Sequence, residues 1–144
     1  MNVLDEISKY IDDQVYVNDT DFDNDVVYSV NKIIPLTKDK VLQTIDLSSL
    51  DRQINNDTPW RTKDGEPITI ADVVNDKTLD KDHYDTFSKV DMSKPILIAP
   101  NGEIMDGNHR VGRAMIDNIE SLKGYVFDDW SELESAITDD DEGM

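Results

Sequence analysis

The chain has 144 residues, no cysteine, and 32 acidic side chains against 14 basic ones, a formal net charge of −18. This length suits one domain that buries roughly 70% of its unfolded surface, and the absence of cysteine excludes disulfides, thiolate metal sites and thiol nucleophiles. Lysine and arginine contacts to phosphates supply most of the affinity for nucleic acid, so a surface this acidic should not hold duplex DNA. No signal segment or run of 18 apolar residues is present, and we therefore expect a soluble, cytoplasmic protein without a membrane partner.

The N-terminal part of the chain predicts a helix, a loop and a strand. Apolar residues spaced three and four apart over 1–13 predict an amphipathic packing helix. The polar, aspartate-rich stretch 18–25 predicts a loop. The β-branched and aromatic run Val26–Val30 predicts a strand that enters a turn before Pro35.

The middle of the chain predicts short elements joined by loops. They are a strand within 40–47, a helix from Ser48 to about Ile54, a loop over 55–67 with Trp60 and Arg61, a short helix capped by Thr69, and a helix over 80–90 with Tyr84 and Phe87 directed inward.

The clearest local signal is a hairpin that leads into a helix. The apolar run 95–100 is followed by Asn101-Gly102, a strong hairpin signal, and 103–106 is its partner strand. Asn108 can cap a helix from about His109 to Leu122. Gly124 would stop that helix before a last strand at 125–127 and an acidic tail, 128–144, with a short helix at 130–137.

The turn Asp106-Gly107-Asn108-His109-Arg110 gathers several chemical groups at one point. The first N–H groups of a helix and its dipole attract anions. Gly107 would let a ligand approach closely, and Asn108 begins the helix. Arg110 can add a bidentate donor suited to phosphate.

Asp106, His109 and Arg113 extend this candidate site. Asp106 could orient His109, act as a base or hold a divalent ion, and His109 could exchange a proton near neutrality. Arg113 lies one helical turn beyond Arg110 and could bind the same anion, or it could pair with Asp117. Asp-Gly-Asn is also a common structural turn. Arginines near a helix N-terminus, where the dipole disfavours them, favour the interpretation as an anion site.

Residues 92–98 and 102–114, which contain the DGNHR motif, resemble the signature of the ParB/sulfiredoxin superfamily, in its short single-domain phage and bacterial form. Residues 27–35 are similar to the opening strand and turn of these domains, and His83-Tyr84 stands where many have a comparable pair. The resemblance covers about 26–127 and divides the chain into an N-terminal helix and acidic loop (1–25), the superfamily domain (26–127) and an acidic tail (128–144).

The resemblance implies a compact α+β domain with a small mixed sheet, whose turn binds phosphates through Gly107, Asn108, His109 and Arg110. It also implies that Lys32 faces the site. The implied cofactors are a nucleoside triphosphate and Mg²⁺, with Asp106 as metal ligand, and Asp106 and His109 are the catalytic candidates. Sulfiredoxin carries a cysteine where Asn108 stands, so its activity is excluded. The arginine-rich turn and DNA-binding helices of partition proteins are missing as well.

Three functions follow as hypotheses. The first is binding of a nucleotide or another phosphorylated ligand at the turn, with NTPase or phosphotransfer activity. The second is an acidic inhibitor that mimics DNA and binds a basic protein of the bacterial or phage-infected host. The third, which follows the resemblance, is a metal-dependent nuclease, although the net charge opposes it.

Overall fold

The computed structural model describes residues 15–18 and 26–138, which form a mixed α+β fold as predicted. The strands are β1 (Val15–Asn18), β2 (Val26–Ser29), β3 (Gln43–Asp46), β4 (Trp60–Arg61), β5 (Pro67–Ile68), β6 (Ile96–Ile98), β7 (Ile104–Asp106), β8 (Ser121–Val126) and β9 (Ile137–Thr138). The α-helices are α1 (Val30–Ile33), α2 (Asp51–Asn55), α3 (Ile70–Asn75), α4 (Lys81–Phe87) and α5 (Asn108–Ile116). The 3₁₀ helices are Ile34–Thr37, Leu47–Leu50 and Trp130–Ala136.

The central sheet has four strands in the order β3, β8, β6, β7. Strands β6 and β8 run parallel, and the other two pairs are antiparallel. A second, antiparallel sheet has the order β1, β2, β9, and β4 and β5 form a short hairpin. None of the helices within the described ranges is both long and apolar enough to cross a membrane.

Strand β6 contributes to two hydrophobic cores, because successive side chains of a strand point to opposite faces. Ile96 and Ile98 pack in the first core with residues of helices α2 to α5. Leu97 packs in the second core with residues of the three-stranded sheet and of the C-terminal 3₁₀ helix. Since all three side chains are buried, both faces of the central sheet are covered, which explains the continuous apolar run.

Several local predictions are confirmed. The hairpin joins β6 to β7, and Gly102 takes the positive φ of +88° that its turn requires. Thr69 caps α3 in a capping box with Asp72, each side chain accepting from the other residue's backbone N–H. Phe87 is fully buried, as predicted for the helix over 80–90.

Two predictions in the first half of the chain are wrong. Val30 begins α1 instead of ending the preceding strand. The predicted loop over 55–67 contains strand β4 and the start of β5, and Trp60 in that hairpin is buried in the first core. Burial against helices, which the polar neighbours of Trp60 do not reveal, produces this hairpin.

The predicted end of the helix after the turn is also wrong. Helix α5 ends at Ile116, and Asn118 takes a positive φ of +58°. Gly107 is the N-cap instead of Asn108. Gly124 lies inside β8, where a Cβ would stand 2.5 Å from Cδ1 of Ile45 and 2.8 Å from the carbonyl oxygen of Ile96. Close packing of neighbouring strands therefore requires Gly124.

Some predicted segments lie wholly or partly outside the described residues. The helix over 1–13 and the acidic run 139–142 are outside, as are residues 19–25 of the predicted loop. Asn18, which we placed in that loop, belongs to β1.

The segment after β8 is joined to the domain through Glu132. Its carboxylate accepts from the backbone N–H groups of Asp128 and Asp129 and forms a 2.8 Å ion pair with Lys40. The Lys40 ammonium also lies 4.8 Å from the ring centre of Phe127. The predicted short helix here is observed as the 3₁₀ helix, and its Leu133 is fully buried.

These contacts predict a pH effect on stability. The hydrogen bond from Lys40, followed by that from the Asp129 N–H, holds the pKa of Glu132 below its usual 4.5. A depressed pKa stabilises the fold above the ordinary value, and this contribution disappears as the pH falls through the lower, folded-state value. We expect Glu132→Gln to reduce the acid-induced fall in unfolding free energy below pH 4.5, measured by urea denaturation. Glu120→Gln is the charge-matched control, and an unchanged pH slope in Glu132→Gln would contradict this explanation.

Candidate functional site

The predicted strand-to-helix turn is present. Strand β7 ends at Asp106, Gly107 takes a left-handed φ of +116°, and α5 begins at Asn108. Asp106, Asn108, His109 and Arg110 are only 4 to 9% exposed. Four polar residues buried at one turn need specific partners, because an uncompensated polar group in a protein interior is costly.

Asp106 and Arg110 are partners of each other. Nη2 of Arg110 donates to Oδ2 of Asp106 at 2.8 Å, and both side chains are buried. Nη1 of Arg110 donates to the carbonyl oxygen of Pro95 at 2.6 Å. The guanidinium therefore joins the end of β7, the first turn of α5 and the residue before β6.

This ion pair bears on the predicted metal site at Asp106. One carboxylate oxygen is in contact with a guanidinium, which is a poor neighbour for a cation. Among the described residues, no three His, Cys, Asp or Glu side chains converge as a metal site would require. Within residues 15–18 and 26–138, the groups around Asp106 therefore do not form a magnesium site.

Arg113 and Lys32 are the two other predicted cationic contacts. Nε of Arg113 donates to Oδ2 of Asp117 at 2.6 Å, and its Nη1 donates to the carbonyl oxygen of Phe87 at 3.1 Å. The ion pair with Asp117 was one of the two sequence interpretations of Arg113. Lys32 is exposed on α1, whose Val30 and Ile33 pack in the second core.

His109 belongs to an aromatic cluster that the sequence did not reveal. Its Nε2 lies 2.8 Å from Nδ1 of His83, within hydrogen-bond distance. The indole of Trp60 stacks on both imidazoles, with ring centres 4.3 Å from His83 and 4.6 Å from His109. In this bond one imidazole donates a hydrogen and the other accepts it. The pair can therefore pass a proton between its two rings.

Gly107 is required for packing. A Cβ at this position would stand 2.9 Å from Cβ of Ile96 and would overlap Cγ2 of the same residue. The space beside Gly107 is thus filled by the first core, although the sequence suggested that a ligand approaches there.

A cavity of about 480 Å³ adjoins the turn. The described part of its wall includes Asn108, Glu103, the first two residues of β7 (104 and 105), residues 56–59 of the loop after α2, Gln53 of α2 and two residues of β1. None of the described lining residues is a lysine or an arginine. The residues distant from the turn could not be placed here by any sequence pattern, since long-range packing brings them together.

The N-terminal end of helix α5 adjoins this cavity, because its first residue, Asn108, is part of the cavity wall. Its first turn contains no acidic residue, whereas α2, α3 and α4 each have an aspartate in theirs. The positive end of the α5 dipole is therefore not neutralised by a carboxylate within its own first turn.

The chain significantly matches no protein-family model, no curated protein and no solved structure. The fold and site define an α+β domain with a buried Asp–Arg turn beside a cavity. The resemblance to the ParB/sulfiredoxin superfamily stays a prediction from the motif.

Proposed function

We propose that this domain binds a small phosphorylated ligand, with a nucleotide as the favoured class, in the cavity at the start of α5. The observation that carries the proposal is the position of Asn108, which is both the first residue of α5 and part of the cavity wall. A volume of about 480 Å³ falls within the size range of small-molecule sites.

The phosphate group is assigned to the N-terminal end of α5. A helix N-terminus attracts anions through its dipole and backbone N–H groups, and the first turn of α5 has no acidic side chain to oppose a phosphate. Arg110 and Arg113 both contact carboxylates. In this proposal Arg110 therefore positions the turn, and the helix end supplies the attraction to phosphate.

The activity that we propose to accompany ligand binding is hydrolysis or transfer of a phosphoryl group. Such reactions depend mainly on positioning and on charge stabilisation. His109 lies in the first turn of α5 and is within hydrogen-bond distance of His83, so this pair of imidazoles could carry a proton. In this proposal, magnesium is bound by the ligand's own phosphates as their counter-ion.

Asn108→Asp tests the proposal because it adds a negative charge at the start of α5 with little change in shape. We expect it to weaken the binding of AMP, ADP, ATP and CTP by at least about tenfold through like-charge repulsion. Isothermal titration calorimetry, with and without Mg²⁺, measures the affinities. Denaturation curves check that the variant is folded.

The matched control is Asn118→Asp, which makes the same charge change just beyond the other end of α5, at an exposed position with a positive φ. Aspartate tolerates this backbone conformation as asparagine does. We expect its affinities to equal those of the wild type. The proposal is wrong if the wild-type protein binds none of the four nucleotides at millimolar concentration, or if both variants lose affinity equally.

A further inference from the structure

The contact between His83 and His109 joins helix α4 to the first turn of α5. Nδ1 of His83 lies 2.8 Å from Nε2 of His109, and the chain has no other histidine. One of these facing nitrogens carries a hydrogen and the other accepts it. The neutral pair can take up one proton, on the second nitrogen of the donor ring, and keep this hydrogen bond. A second proton would put a hydrogen on both facing nitrogens.

Two protonated imidazoles are incompatible with this contact. Neither facing nitrogen could then accept, and two like charges would oppose each other across a nitrogen-to-nitrogen distance of 2.8 Å. His109 also lies in the first turn of α5, where the helix dipole disfavours a cation and no acidic residue is present. The closed contact can therefore hold one added proton, whereas the separated rings can hold two.

The closed contact has groups that stabilise one positive charge. Trp60 stacks on both imidazoles, and the face of an aromatic ring attracts a cation. Oδ1 of Asp80 accepts from the backbone N–H of His83, which brings a carboxylate to the α4 side of the pair. Uptake of the first proton is therefore compatible with a closed contact.

The remaining charged side chains on the described elements around the pair are exposed or paired with one another. They are Arg61 of β4, Asp72 of α3, Asp82 of α4, and the pairs Lys81–Asp85, Asp106–Arg110 and Arg113–Asp117. Water screens the exposed charges. Because the paired carboxylates already contact a cation, they do little to balance a second charge on the imidazoles.

Helix α4 has few other buried contacts with the domain. Phe87 at its end is fully buried, but residues 80–86 are exposed or only half-buried. Segments with few buried side chains open locally at a low cost in free energy. We infer that the contact between His83 and His109 is a pH-sensitive link. It holds the N-terminal half of α4 against α5 while at most one imidazole is protonated, and it releases this half when both are.

NMR of protein labelled with ¹⁵N in the histidine rings tests the link directly. At about pH 8, above the range in which histidine takes up a proton in water, we expect a scalar coupling between Nδ1 of His83 and Nε2 of His109 across the hydrogen bond. The coupling should persist after uptake of one proton. It should vanish when the ring-nitrogen chemical shifts show that both imidazoles are charged.

Hydrogen exchange measures the release of α4. The backbone N–H of Tyr84 donates to the carbonyl oxygen of Asp80 at 3.0 Å, so its exchange reports on the first turn of the helix. Below about pH 6.5 the equilibrium constant for opening should rise by up to about tenfold per pH unit, because the open state binds one more proton. The rates are corrected for the intrinsic pH dependence of amide exchange.

His83→Asn removes the titrating group and keeps a hydrogen-bonding group near the position of Nδ1. Its side-chain amide can donate or accept but carries no charge, so the opening of Tyr84 should no longer depend on pH. Asp85→Asn is the matched control on the same helix. It breaks the exposed pair with Lys81 and should retain both the coupling and the pH effect.

Three results would each overturn the inference. The first is the absence of the coupling in the wild type at about pH 8. The second is protection of the Tyr84 amide that stays unchanged after both imidazoles are charged. The third is the same pH dependence of Tyr84 exchange in His83→Asn as in the wild type. If His83→Asn does not fold, the first two measurements on the wild-type protein still decide the question.

Discussion

Arg110→Met should lower the free energy of unfolding by about 3–5 kcal/mol, because it leaves the carboxylate of Asp106 buried without its guanidinium. The variant also loses the hydrogen bond to the carbonyl oxygen of Pro95. Urea denaturation followed by circular dichroism measures the change. The double variant Asp106→Leu/Arg110→Met should regain part of the loss, since it removes both charges together.

The same helix offers a matched control for this prediction. Arg113 and Asp117 form a second Arg–Asp pair four residues apart, but their side chains are 32% and 39% exposed. Water screens such a pair, so its loss should cost only about 0.2–1 kcal/mol. Arg113→Met also loses the hydrogen bond to the carbonyl oxygen of Phe87, so its total cost should be about 1–2 kcal/mol. Equal losses in the Arg110 and Arg113 variants would mean that burial does not set the strength of the Asp106 pair.

The buried pair also decides which variants can report on ligand binding. An Arg110 variant that fails to bind a nucleotide has lost the support of the turn as well as a positive charge, and the two causes cannot be separated. Asn108→Asp changes the charge at the cavity while leaving the contact between Asp106 and Arg110 in place. It is therefore the sharper test of a phosphate site.

The predictable parts of the fold are those determined by neighbours in sequence. The hairpin around Asn101-Gly102 and the capping box of Thr69 each depend on residues within about four positions, and both are present. The turn at 106–110 is a contiguous segment for the same reason. Sequence analysis could group its residues because they are consecutive in the chain.

Long-range packing explains what the sequence could not predict. In the segment 119–126 the apolar residues Ile119 and Leu122 are three positions apart, a spacing that also fits the end of a helix. Parallel pairing of β8 with β6 makes it a strand, and Gly124 then fits where a side chain would collide with Ile45. The decisive contacts come from distant parts of the chain.

The candidate site shows the same division. The sequence identified the turn, but the partners of its residues come from elsewhere: His83 is 26 positions from His109, and Trp60 is farther still. Gln53, whose acceptor faces no described donor, is an ordinary helical residue in the sequence. Its burial beside the cavity is determined by the fold and leaves no pattern in the sequence.

Gly107→Ala should destabilise the domain by about 3 kcal/mol or more, through two additive effects. Alanine at a φ of +116° is strained by about 1–3 kcal/mol. Its Cβ would also overlap the side chain of Ile96, and overpacking of a core costs about 1–3 kcal/mol. Urea denaturation at constant pH measures the sum.

Gly65→Ala separates the two effects. Gly65 has a similar positive φ of +84°, but no atom outside its chain neighbours lies within 4 Å of the position that a Cβ would take. Its variant should therefore show only the backbone strain, about 1 kcal/mol. If Gly107→Ala were no more destabilising than Gly65→Ala and yet abolished ligand binding, Gly107 would serve ligand approach, as the sequence suggested. If Gly107→Ala instead lowered the free energy of unfolding much more than Gly65→Ala, the role of Gly107 would be to let the turn pack against Ile96. That packing holds the start of α5 beside the cavity.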